Sequence, residues 1–370
     1  MIPISDPKRQ LIEIQDSVMC EIKEVFSSGQ YILGPNVETL ENKIADKLGV
    51  SEAIAVANGT DALVLSLMAC NIGEGDEVIT TPFTFFATAE AIIRVGATPI
   101  FVDVEEETCN MDPKQITNKI SPNTKAILPV HLFGQPADMN PIMKIARENN
   151  LYVIEDACQA FGASYDGHLV GSIGDLACFS FFPTKNLSTI GDGGIITTSN
   201  KAFADKIRSL RAHGSRKKYF HDEIGYNSRL DEIHAAILLQ CLNHIDTWNQ
   251  CRIKLACRYN KELNHLQSIH LLPTPKRHRH VYHLYCLFSP HREKIIRHLR
   301  KYDIATAIYY PLCLHLQKAL SFLNGRKGDF PNAECLSEQI FAIPLFPGMT
   351  SSEQDHVISA IQSYEDEILC

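Results

Sequence analysis

Between residues 53 and 211, short runs of consecutive apolar residues alternate with segments that have the composition of helices. Runs that are apolar at every position suit strands that are buried on both faces of a parallel sheet. The predicted strands are 53–57, 77–81, 99–104, 126–131, 151–154, 177–182 and 194–198. The predicted helices are 60–70, 87–95, 113–120, 140–149 and 201–211. The pattern predicts an α/β domain whose mostly parallel sheet has about seven strands, with a functional site at the carboxyl ends of the strands.

The two ends of the chain depart from this alternation. The elements predicted there are an irregular arm at 1–10, helices at 11–27, 37–48, 294–301 and 351–363, a long helical segment at 230–263 with a break near Asn249, and strands at 281–288 and 304–310. The mixture beyond the long helix predicts a smaller α+β C-terminal domain. We place the large domain at residues 1–249 and the small domain at residues 250–370.

The composition indicates a soluble globular protein. Of its 370 residues, 45% are hydrophobic and 21% are charged, as in ordinary globular proteins. The formal net charge of -8 argues against a nucleic-acid binder, and no apolar run approaches the roughly 20 residues that span a membrane. The twelve cysteines form no CxxC pair and the N-terminus has no apolar leader, which predicts a reduced, cytoplasmic protein. The histidines near His278 lie in a basic run without carboxylates, so no metal site is predicted.

Three of the predicted strand ends carry weak signals. After the first strand, Gly59 would let backbone amides face a ligand and Thr60 adds a hydroxyl, at a helix N-terminus that favours an anion such as phosphate. A plain helix cap would account for the same residues. Phe85 is a candidate for stacking on a flat ring, although core packing is the commoner role of phenylalanine. His131 is a candidate base or a structural histidine.

Two acids and a lysine follow two further strands. The apolar strand at 151–154 ends in Glu155 and Asp156, whose side chains should point to opposite faces so that one can enter the site. A carboxylate at the end of a buried strand needs a cation partner, because an unpaired buried charge is costly. Lys185 follows the strand at 177–182 and precedes a glycine-rich turn. It either extends to water or is held in place for Schiff-base chemistry.

Together these residues are typical of a pyridoxal phosphate site. Lys185 would form the Schiff base, and Asp156 would keep the pyridine nitrogen protonated. Gly59, Thr60 and Ser180 would bind the phosphate. The protonated ring acts as an electron sink for a carbanion at the substrate carbon. Its positive charge would also help to depress the pKa of the lysine.

The sequence resembles the nucleotide-sugar aminotransferases of the DegT type, a branch of the aspartate-aminotransferase-like (fold type I) pyridoxal phosphate enzymes. The segments that carry the resemblance are GQYILGP, NGTDAL, TPFTFFATAEAI, PVHLFGQPADM, IEDACQAFGA, SFFPTKNLSTIGDGG, LRAHGS, GYNSRLDEIHAA, HVYHLY and YYPLCLHLQ. They extend over nearly the whole chain, which is far more specific than any single motif. The resemblance implies a fold type I large domain and transamination through pyridoxal phosphate and its pyridoxamine form.

The resemblance also implies roles for individual residues. Lys185 matches the lysine that binds the cofactor, Asp156 the residue paired with the pyridine nitrogen, and Gln159 the residue near the ring hydroxyl. Phe85 matches the aromatic residue that stacks on the ring. Asn227 matches an asparagine that reaches the phosphate from the neighbouring subunit, which implies a homodimer with shared active sites. The residues that match phosphate contacts are Gly59, Thr60 and Ser180.

Finally, the resemblance indicates a substrate class. A lysine at 185, where some relatives carry histidine and act as dehydratases, indicates transamination. The ending GDGG, with RKKY and YNSRLD downstream, is similar to the same region of members that aminate a nucleotide-linked 3-keto sugar. The family resemblance implies L-glutamate as the amino donor. Phe182 departs from these members, because many of them have a tyrosine at this position. The alternatives are a 4-keto-sugar or cyclitol aminotransferase, and a non-catalytic sensor or regulatory protein. The candidate substrate residues, which packing, ion pairing or surface exposure would account for equally well, are Tyr31, Tyr219, Arg229, Tyr309, Tyr310 and His315.

Overall fold

The computed structural model describes residues 1–369. Its strands are Glu52–Val56 (β1), Glu77–Thr80 (β2), Thr98–Phe101 (β3), Thr124–Ile127 (β4), Tyr152–Asp156 (β5), Ser164–Tyr165 (β6), His168–Leu169 (β7), Leu176–Ser180 (β8), Gly194–Thr198 (β9), Ser215–Lys217 (β10), Phe220–His221 (β11), His270–Leu271 (β12), His278–Arg279 (β13), Tyr285–Phe288 (β14) and Ile340–Ile343 (β15). Its α-helices are Pro7–Ile12 (α1), Gln15–Ser28 (α2), Pro35–Leu48 (α3), Gly59–Ala69 (α4), Ala87–Arg94 (α5), Pro113–Ile116 (α6), Met139–Asn149 (α7), Lys201–Leu210 (α8), Glu232–Leu242 (α9), Ile245–Leu263 (α10), Arg292–Lys301 (α11), Pro331–Gln339 (α12) and Ser351–Leu369 (α13). Short 3₁₀ helices are Thr117–Lys119, Leu132–Gly134, Leu314–Leu316 and Lys318–Leu323.

Seven of the strands form one sheet in the order β1-β9-β8-β5-β4-β2-β3. The pairs among β8, β5, β4, β2 and β3 are parallel, whereas β9 is antiparallel to both β1 and β8. The chain returns from β8 to β9 through a loop without a crossover helix, a connection that is usual between antiparallel neighbours. Each predicted strand overlaps one of the seven. The prediction of a mostly parallel sheet of about seven strands is therefore confirmed.

Helices cover both faces of this sheet. On one face, α4 packs against α5 and α8, and its residues Leu63 and Leu65 are at most 1% exposed although they lie on different sides of the helix. A helix that is apolar all round is typical of such an enclosed position. On the other face, α2, α3 and α9 pack over Phe179 and Ile195 of the sheet. Burial on both faces is the reason that the strands are apolar at consecutive positions.

The C-terminal part of the chain has a core of its own. β12, β14 and β15 form an antiparallel sheet whose residues pack with those of α11 and α13. Helix α10 belongs to both cores, because Ile245 and Trp248 pack in the large domain whereas Ala256 and Tyr259 pack in the small one. The smaller α+β domain is confirmed. The boundary between residues 249 and 250 falls within this helix and stays a prediction.

The strand predicted at 304–310 is wrong. This segment passes between the N-terminal arm and β15 and forms only single bridges, from Ile304 to Ile2 and from Ala307 to Ala342. A strand needs consecutive bridges to the same neighbour. The segment 304–310 has one bridge to each of two neighbours, so it does not form a strand. The third strand of the small sheet is instead β15, which the apolar pattern alone does not distinguish from the end of a helix.

The break predicted near Asn249 lies elsewhere. The helices α9 and α10 are separated at residues 243–244. Asn249 stays inside α10 because its buried side chain has partners there: its amide donates to the Phe161 carbonyl at 3.0 Å and its oxygen accepts from the Asn186 amide at 2.7 Å. These tertiary hydrogen bonds outweigh the low helix propensity of asparagine.

Glu155 in β5 is completely buried and connects two segments near the carboxyl ends of the parallel strands. The N–H groups that donate to its carboxylate belong to Gly171 (2.9 Å), Ile173 (2.9 Å) and Gly174 (2.7 Å). His131 Nδ1 accepts the Ala137 N–H at 3.0 Å, so its Nε2 carries the proton that faces Glu155 at 2.9 Å. Burial raises the pKa of Glu155, but these hydrogen bonds outweigh it and hold the pKa below its ordinary value. In this structure, His131 is a structural partner of Glu155.

Replacing Glu155 with alanine should strongly destabilise the protein. The substitution leaves His131 and three backbone N–H groups without their acceptor, and breaking a buried charged network of this kind costs about 3–5 kcal/mol. We expect the melting temperature of the Glu155→Ala protein to fall by about 4–6 °C.

The matched control is Glu148→Ala on α7, because the Glu148 side chain is 59% exposed and lies 3.8 Å from Lys144. Its loss should change the free energy of unfolding by less than about 0.5 kcal/mol. Equal melting temperatures for the two variants would contradict the role assigned to Glu155.

Candidate active site

A cavity of about 560 Å³ lies at the carboxyl ends of the parallel strands, where this sheet topology places functional sites. Residues that follow β1, β2, β5 and β8 line it, together with residues of the N-terminal arm and of the small domain. The predicted cofactor residues that line the cavity are Gly59, Thr60, Phe85, Asp156, Gln159, Ser180 and Lys185. Residues that are far apart in the sequence are therefore brought to one place.

Asp156 is the last residue of β5, and the pleat of the strand turns it to the face opposite Glu155. The Thr88 hydroxyl donates to Asp156 Oδ2 at 2.8 Å, and the Cys158 N–H lies 3.3 Å from Oδ1. Thr84 and Thr88 have their hydroxyl oxygens 3.0 Å apart. Because the one proton of Thr88 points to Asp156, Thr84 must donate to Thr88. This relay orients a carboxylate that lines the cavity.

Lys185 lies in the loop between β8 and β9. Its backbone N–H donates to the Phe182 carbonyl at 2.8 Å. The next residue, Asn186, is buried and is hydrogen-bonded through its side chain. The backbone on both sides of the lysine is thus held, and its side chain lines the cavity. Burial lowers the pKa of Lys185, and the nearby Cys158 and Asp156 only partly oppose this. More of its amine is uncharged near neutral pH than for an exposed lysine.

Gly59 begins α4 in close contact with the neighbouring strand ends. A Cβ atom at this position would lie 2.8 Å from Ser180 Cβ and 2.9 Å from Cys158 Sγ, so only glycine fits. Asn58 caps the helix by accepting an N–H of its first turn at 2.8 Å. The helix N-terminus, which carries partial positive charge, therefore lines the cavity beside the hydroxyls of Thr60 and Ser180. This arrangement suits a phosphate group.

Gln159 is oriented at both ends of its amide. Its oxygen accepts the Phe133 N–H at 2.8 Å, and its nitrogen donates to the Tyr310 hydroxyl at 3.1 Å. Burial raises the pKa of Tyr310, which keeps the phenol neutral. The ring of Phe85 lies 6.3 Å from that of Tyr310 and is 58% exposed. An exposed phenylalanine after a buried strand leaves a flat apolar surface free for another ring.

Five of the predicted residues do not line this cavity in the single chain; they are Tyr31, Tyr219, Asn227, Arg229 and His315. The first three are exposed, and Tyr219 projects from the β10–β11 hairpin with 81% of its surface accessible. Arg229 is half-buried in the loop that precedes α9. His315 is buried, and its Nε2 lies 3.0 Å from the Glu334 carboxylate of α12. Tyr309 and Tyr310 do line the cavity.

Several residues of the site were not predicted. Thr84 lines the cavity and Thr88 contacts Asp156. These two carried a detectable signal, because a spacing of four residues puts two hydroxyls on one side of a helical turn. Ile4 and Ser5 of the N-terminal arm and His283 of the small domain carried none. Their place in the cavity depends on how distant parts of the chain pack together.

Residues 13–362 match the DegT/DnrJ/EryC1/StrS aminotransferase family. The chain belongs to this family. Two relatives are similar over almost their full length. The chain is 43% identical over 366 residues to a pleiotropic regulatory protein of Geobacillus stearothermophilus, covering 98% of both chains. It is 42% identical over 361 residues to the UDP-N-acetyl-3-dehydro-alpha-D-glucosamine 3-aminotransferase of Acidithiobacillus ferrooxidans, covering 98% of this chain and 97% of the relative.

Solved structures show the same fold. The crystal structure of DesV from S. venezuelae, in complex with a ketimine intermediate, superposes with a TM-score of 0.97 at 38% identity and covers 99% of this chain and 98% of DesV. The structure of NtdA from Bacillus subtilis with bound cofactor PMP has a TM-score of 0.93 at 32% identity and covers 99% of this chain and 85% of NtdA. The fold type I prediction is confirmed.

The protein is a pyridoxal-phosphate-dependent aminotransferase of the sugar-nucleotide type, as predicted. The cavity fits this cofactor: the helix N-terminus at Gly59 suits the phosphate, Asp156 is a buried carboxylate for a protonated ring nitrogen, and Lys185 is an amine whose pKa is lowered by burial. Among residues 1–369, no group of three or more His, Cys, Asp or Glu side chains is arranged to hold a metal ion. None of the described helices is long and apolar enough to cross a membrane.

Replacing Thr88 with valine should weaken cofactor binding. The substitution keeps the size of the side chain but removes the hydrogen bond to the Asp156 carboxylate. A hydrogen bond to a charged group contributes about 1.5–3 kcal/mol, so we expect the cofactor dissociation constant to rise by about 10- to 100-fold. Equilibrium titration of the cofactor-free protein, followed by absorbance, measures it.

Thr84→Val is the matched control, because it removes only the second, uncharged link of the same relay. Its effect should stay below about 10-fold. Equal effects of both substitutions, or none from Thr88→Val, would show that the relay does not orient Asp156.

Proposed function

We propose that this enzyme transfers the amino group of L-glutamate to a nucleotide-linked 3-keto sugar and so forms a 3-amino sugar nucleotide. The observation that carries the proposal is one cavity that holds Lys185, Asp156 and the N-terminus of α4. Support for the sugar comes from the named activity of the A. ferrooxidans relative and from the ending GDGG that follows the lysine. Asp192 of that ending lines the cavity.

The residues around the cavity would hold the cofactor at three points. The N–H groups at the start of α4, with the hydroxyls of Thr60 and Ser180, would bind the phosphate. Asp156, oriented by Thr88, would pair with the ring nitrogen, and the exposed face of Phe85 would hold the ring. Gln159 would bind the ring hydroxyl. The bound cofactor withdraws electrons from the substrate carbon and so makes its proton removable.

Lys185 would move the protons. Its Nζ takes the proton that leaves Cα of the amino donor and supplies the proton that reaches C3 of the sugar. A base works best when its pKa lies near the operating pH. Burial lowers the pKa of Lys185 and thus brings the free amine closer to that range. The phenol of Tyr310, which burial keeps protonated, remains a hydrogen-bond donor beside Gln159.

The apolar surface next to the lysine loop supports a homodimer. The first turn of α9 joins two exposed segments: the Glu232 N–H donates to the Tyr31 carbonyl at 2.9 Å, and His234 Nδ1 lies 2.9 Å from the Thr189 hydroxyl. The exposed apolar residues of this face are Phe26, Tyr31, Ile32, Leu33, Ile190 and Ile233. A contiguous exposed apolar surface marks an interface. We place the second subunit here.

Within such a dimer, residues that do not line the cavity of their own chain could complete the cavity of the partner. Asn227 would reach the phosphate of the neighbouring site, and Arg229 and Tyr219 would contact the anionic substrate. The β10–β11 hairpin adds two exposed cations, Lys217 and Lys218, beside Tyr219. These lysines suit the diphosphate group of a nucleotide-linked sugar. His315 is hydrogen-bonded to Glu334 and its ring packs against that of Phe330, so it would serve only as a structural residue.

The proposed compartment is the cytoplasm. The eleven cysteines that the structure describes are free thiols, and burial raises the pKa of several of them, including Cys70 and Cys178. Thiols of this kind are inert and suit a reducing compartment.

Turnover and product analysis test the reaction. The purified enzyme, given glutamate and UDP- or dTDP-linked 3-keto and 4-keto sugars, should form 2-oxoglutarate and a 3-amino sugar nucleotide, identified by NMR. Lys185→Ala should reduce turnover by more than about 10³-fold because it removes the base. Lys144→Ala, at a lysine whose side chain is 74% exposed on α7, is the control and should retain full activity.

Two outcomes would replace the proposal. Activity on the 4-keto compound alone would assign the enzyme to the other class of sugar aminotransferases. Cofactor binding without turnover of any keto sugar would favour a regulatory role, the second candidate, which is supported by the name of the G. stearothermophilus relative.

Mixed dimers test the shared site. Lys185→Ala and Asn227→Asp are co-expressed with different tags, and the heterodimers are isolated by sequential purification. If Asn227 serves the partner's cavity, each heterodimer contains one cavity with both defects and one with neither, so it should have about half of the wild-type activity, as a two-fold symmetric interface requires.

The two homodimers, carried through the same purification, should be inactive or severely impaired. Inactive heterodimers would mean that each cavity is complete within one chain. Full activity of the Asn227→Asp homodimer would remove Asn227 from the site altogether.

A further inference from the structure

His283 is a buried histidine in the active-site cavity that the reaction described above does not use. Only 7% of its surface is exposed, and it lines the same cavity as Lys185. Its Nδ1 is enclosed and forms no hydrogen bond with any residue of the described chain. A ring nitrogen buried without a partner costs free energy, so such a residue persists in a fold only where something offsets that cost.

The backbone of His283 is held rigidly against the large domain. A Cβ atom on Gly134 would lie 2.9 Å from the backbone nitrogen of His283, so the two backbone segments are in direct contact. Val281 donates its N–H to the Gly134 carbonyl at 3.0 Å, and Leu284 donates to the Phe133 carbonyl at 3.4 Å. The same segment orients Gln159 through the Phe133 N–H. The position of the imidazole is therefore fixed relative to the ring-binding end of the cavity.

The surroundings keep the ring neutral. Burial, together with the positive charges of Lys185 and Arg252, holds the pKa of His283 well below its ordinary value. A neutral imidazole offers one N–H donor and one acceptor nitrogen. It cannot serve as a cation for a phosphate or a carboxylate. It does match a hydroxyl group, which also donates and accepts.

We propose that His283 is a binding residue of the active site that forms a hydrogen bond with a hydroxyl group of the bound ligand. That hydroxyl belongs either to the ring of the cofactor or to the sugar of the substrate. The first possibility needs only the cofactor, whereas the second rests on the proposed function. In both, the bond is formed by Nε2, because protein atoms enclose Nδ1 and a ligand hydroxyl cannot reach it, whereas Nε2 is not enclosed.

The neighbouring His280 provides an internal comparison. It is equally buried, but its Nδ1 accepts the Tyr282 N–H at 2.9 Å and its ring stacks on that of Tyr282 at 3.9 Å. His280 therefore has the partner that His283 lacks at Nδ1. Two histidines three residues apart, with similar burial and opposite hydrogen bonding, make a matched pair for substitution.

The test is a pair of phenylalanine substitutions, His283→Phe and His280→Phe, studied first in the cofactor-free protein. Removing an unpaired polar group from the interior should raise the melting temperature of His283→Phe by about 2–4 °C. His280→Phe should lower it, because the Tyr282 N–H loses its acceptor. A fall for His283→Phe equal to that of His280→Phe would overturn the proposal, since it would mean that His283 serves the fold.

Ligand binding then separates the two sources of the hydroxyl. If it belongs to the cofactor, His283→Phe should raise the dissociation constant of pyridoxal 5′-phosphate by about 10-fold and shift the absorption band of the bound form. If it belongs to the sugar, cofactor binding stays as in the wild type, whereas KM for the keto-sugar nucleotide rises by about 10-fold. His283→Asn and His283→Gln, which restore a polar end, should recover part of the loss. Cofactor affinity and KM both close to the wild-type values would overturn the proposal.

Discussion

The active site depends on two neighbouring carboxylates at the end of β5. Because side chains alternate along a strand, Glu155 and Asp156 face opposite sides of the same sheet edge. Glu155 binds His131 and the backbone of residues 171–174, and so fixes the strand end from behind. Asp156 can then lie in the cavity, oriented by Thr88. A charge at this place would be too costly in a loosely held strand, because its hydrogen bonds must be formed in advance.

A close approach of backbone segments decides the other half of the site. Gly59 lies against Ser180 and Cys158 with no room for a side chain. This brings the N-terminus of α4 next to the strand that carries the chain to Lys185. The anion site follows β1 and the lysine follows β8, and β9 lies between these two strands, so the pairing of the three strands sets the spacing of the two groups.

The N-terminal arm closes the cavity from the small-domain side. Arg9 forms two hydrogen bonds of 2.7 Å with the Glu353 carboxylate of α13, and it holds the pKa of that carboxyl down at about 2. The adjacent Gln10 is buried and donates to the Asn186 carbonyl at 3.2 Å, one residue beyond Lys185. One short segment therefore contacts both the small domain and the lysine loop, with Ile4 and Ser5 lining the cavity between them.

Local pattern was sufficient for much of this protein. Consecutive apolar residues predict the seven strands because both faces of the sheet are buried, and the strand ends point to Asp156, Lys185 and Gly59 because parallel strands place their carboxyl ends together. Pattern failed where partners are distant. Asn249 stays helical through bonds to Phe161 and Asn186, and segment 304–310 is no strand because its neighbours are the arm and β15.

The same division holds within the site. Side-chain chemistry in the sequence determined which cofactor this protein uses, since a lysine, an acid and a glycine at strand ends supply the amine, the anion and the phosphate site that pyridoxal phosphate requires. Tertiary structure alone decided that His315 bonds to Glu334, that Ser5 reaches the cavity, and that the buried His283 lines the same cavity as Lys185 with no partner for its Nδ1 among the described residues. The physical reason is that burial and hydrogen-bond pairing depend on residues that are distant in the sequence, which no local pattern can register.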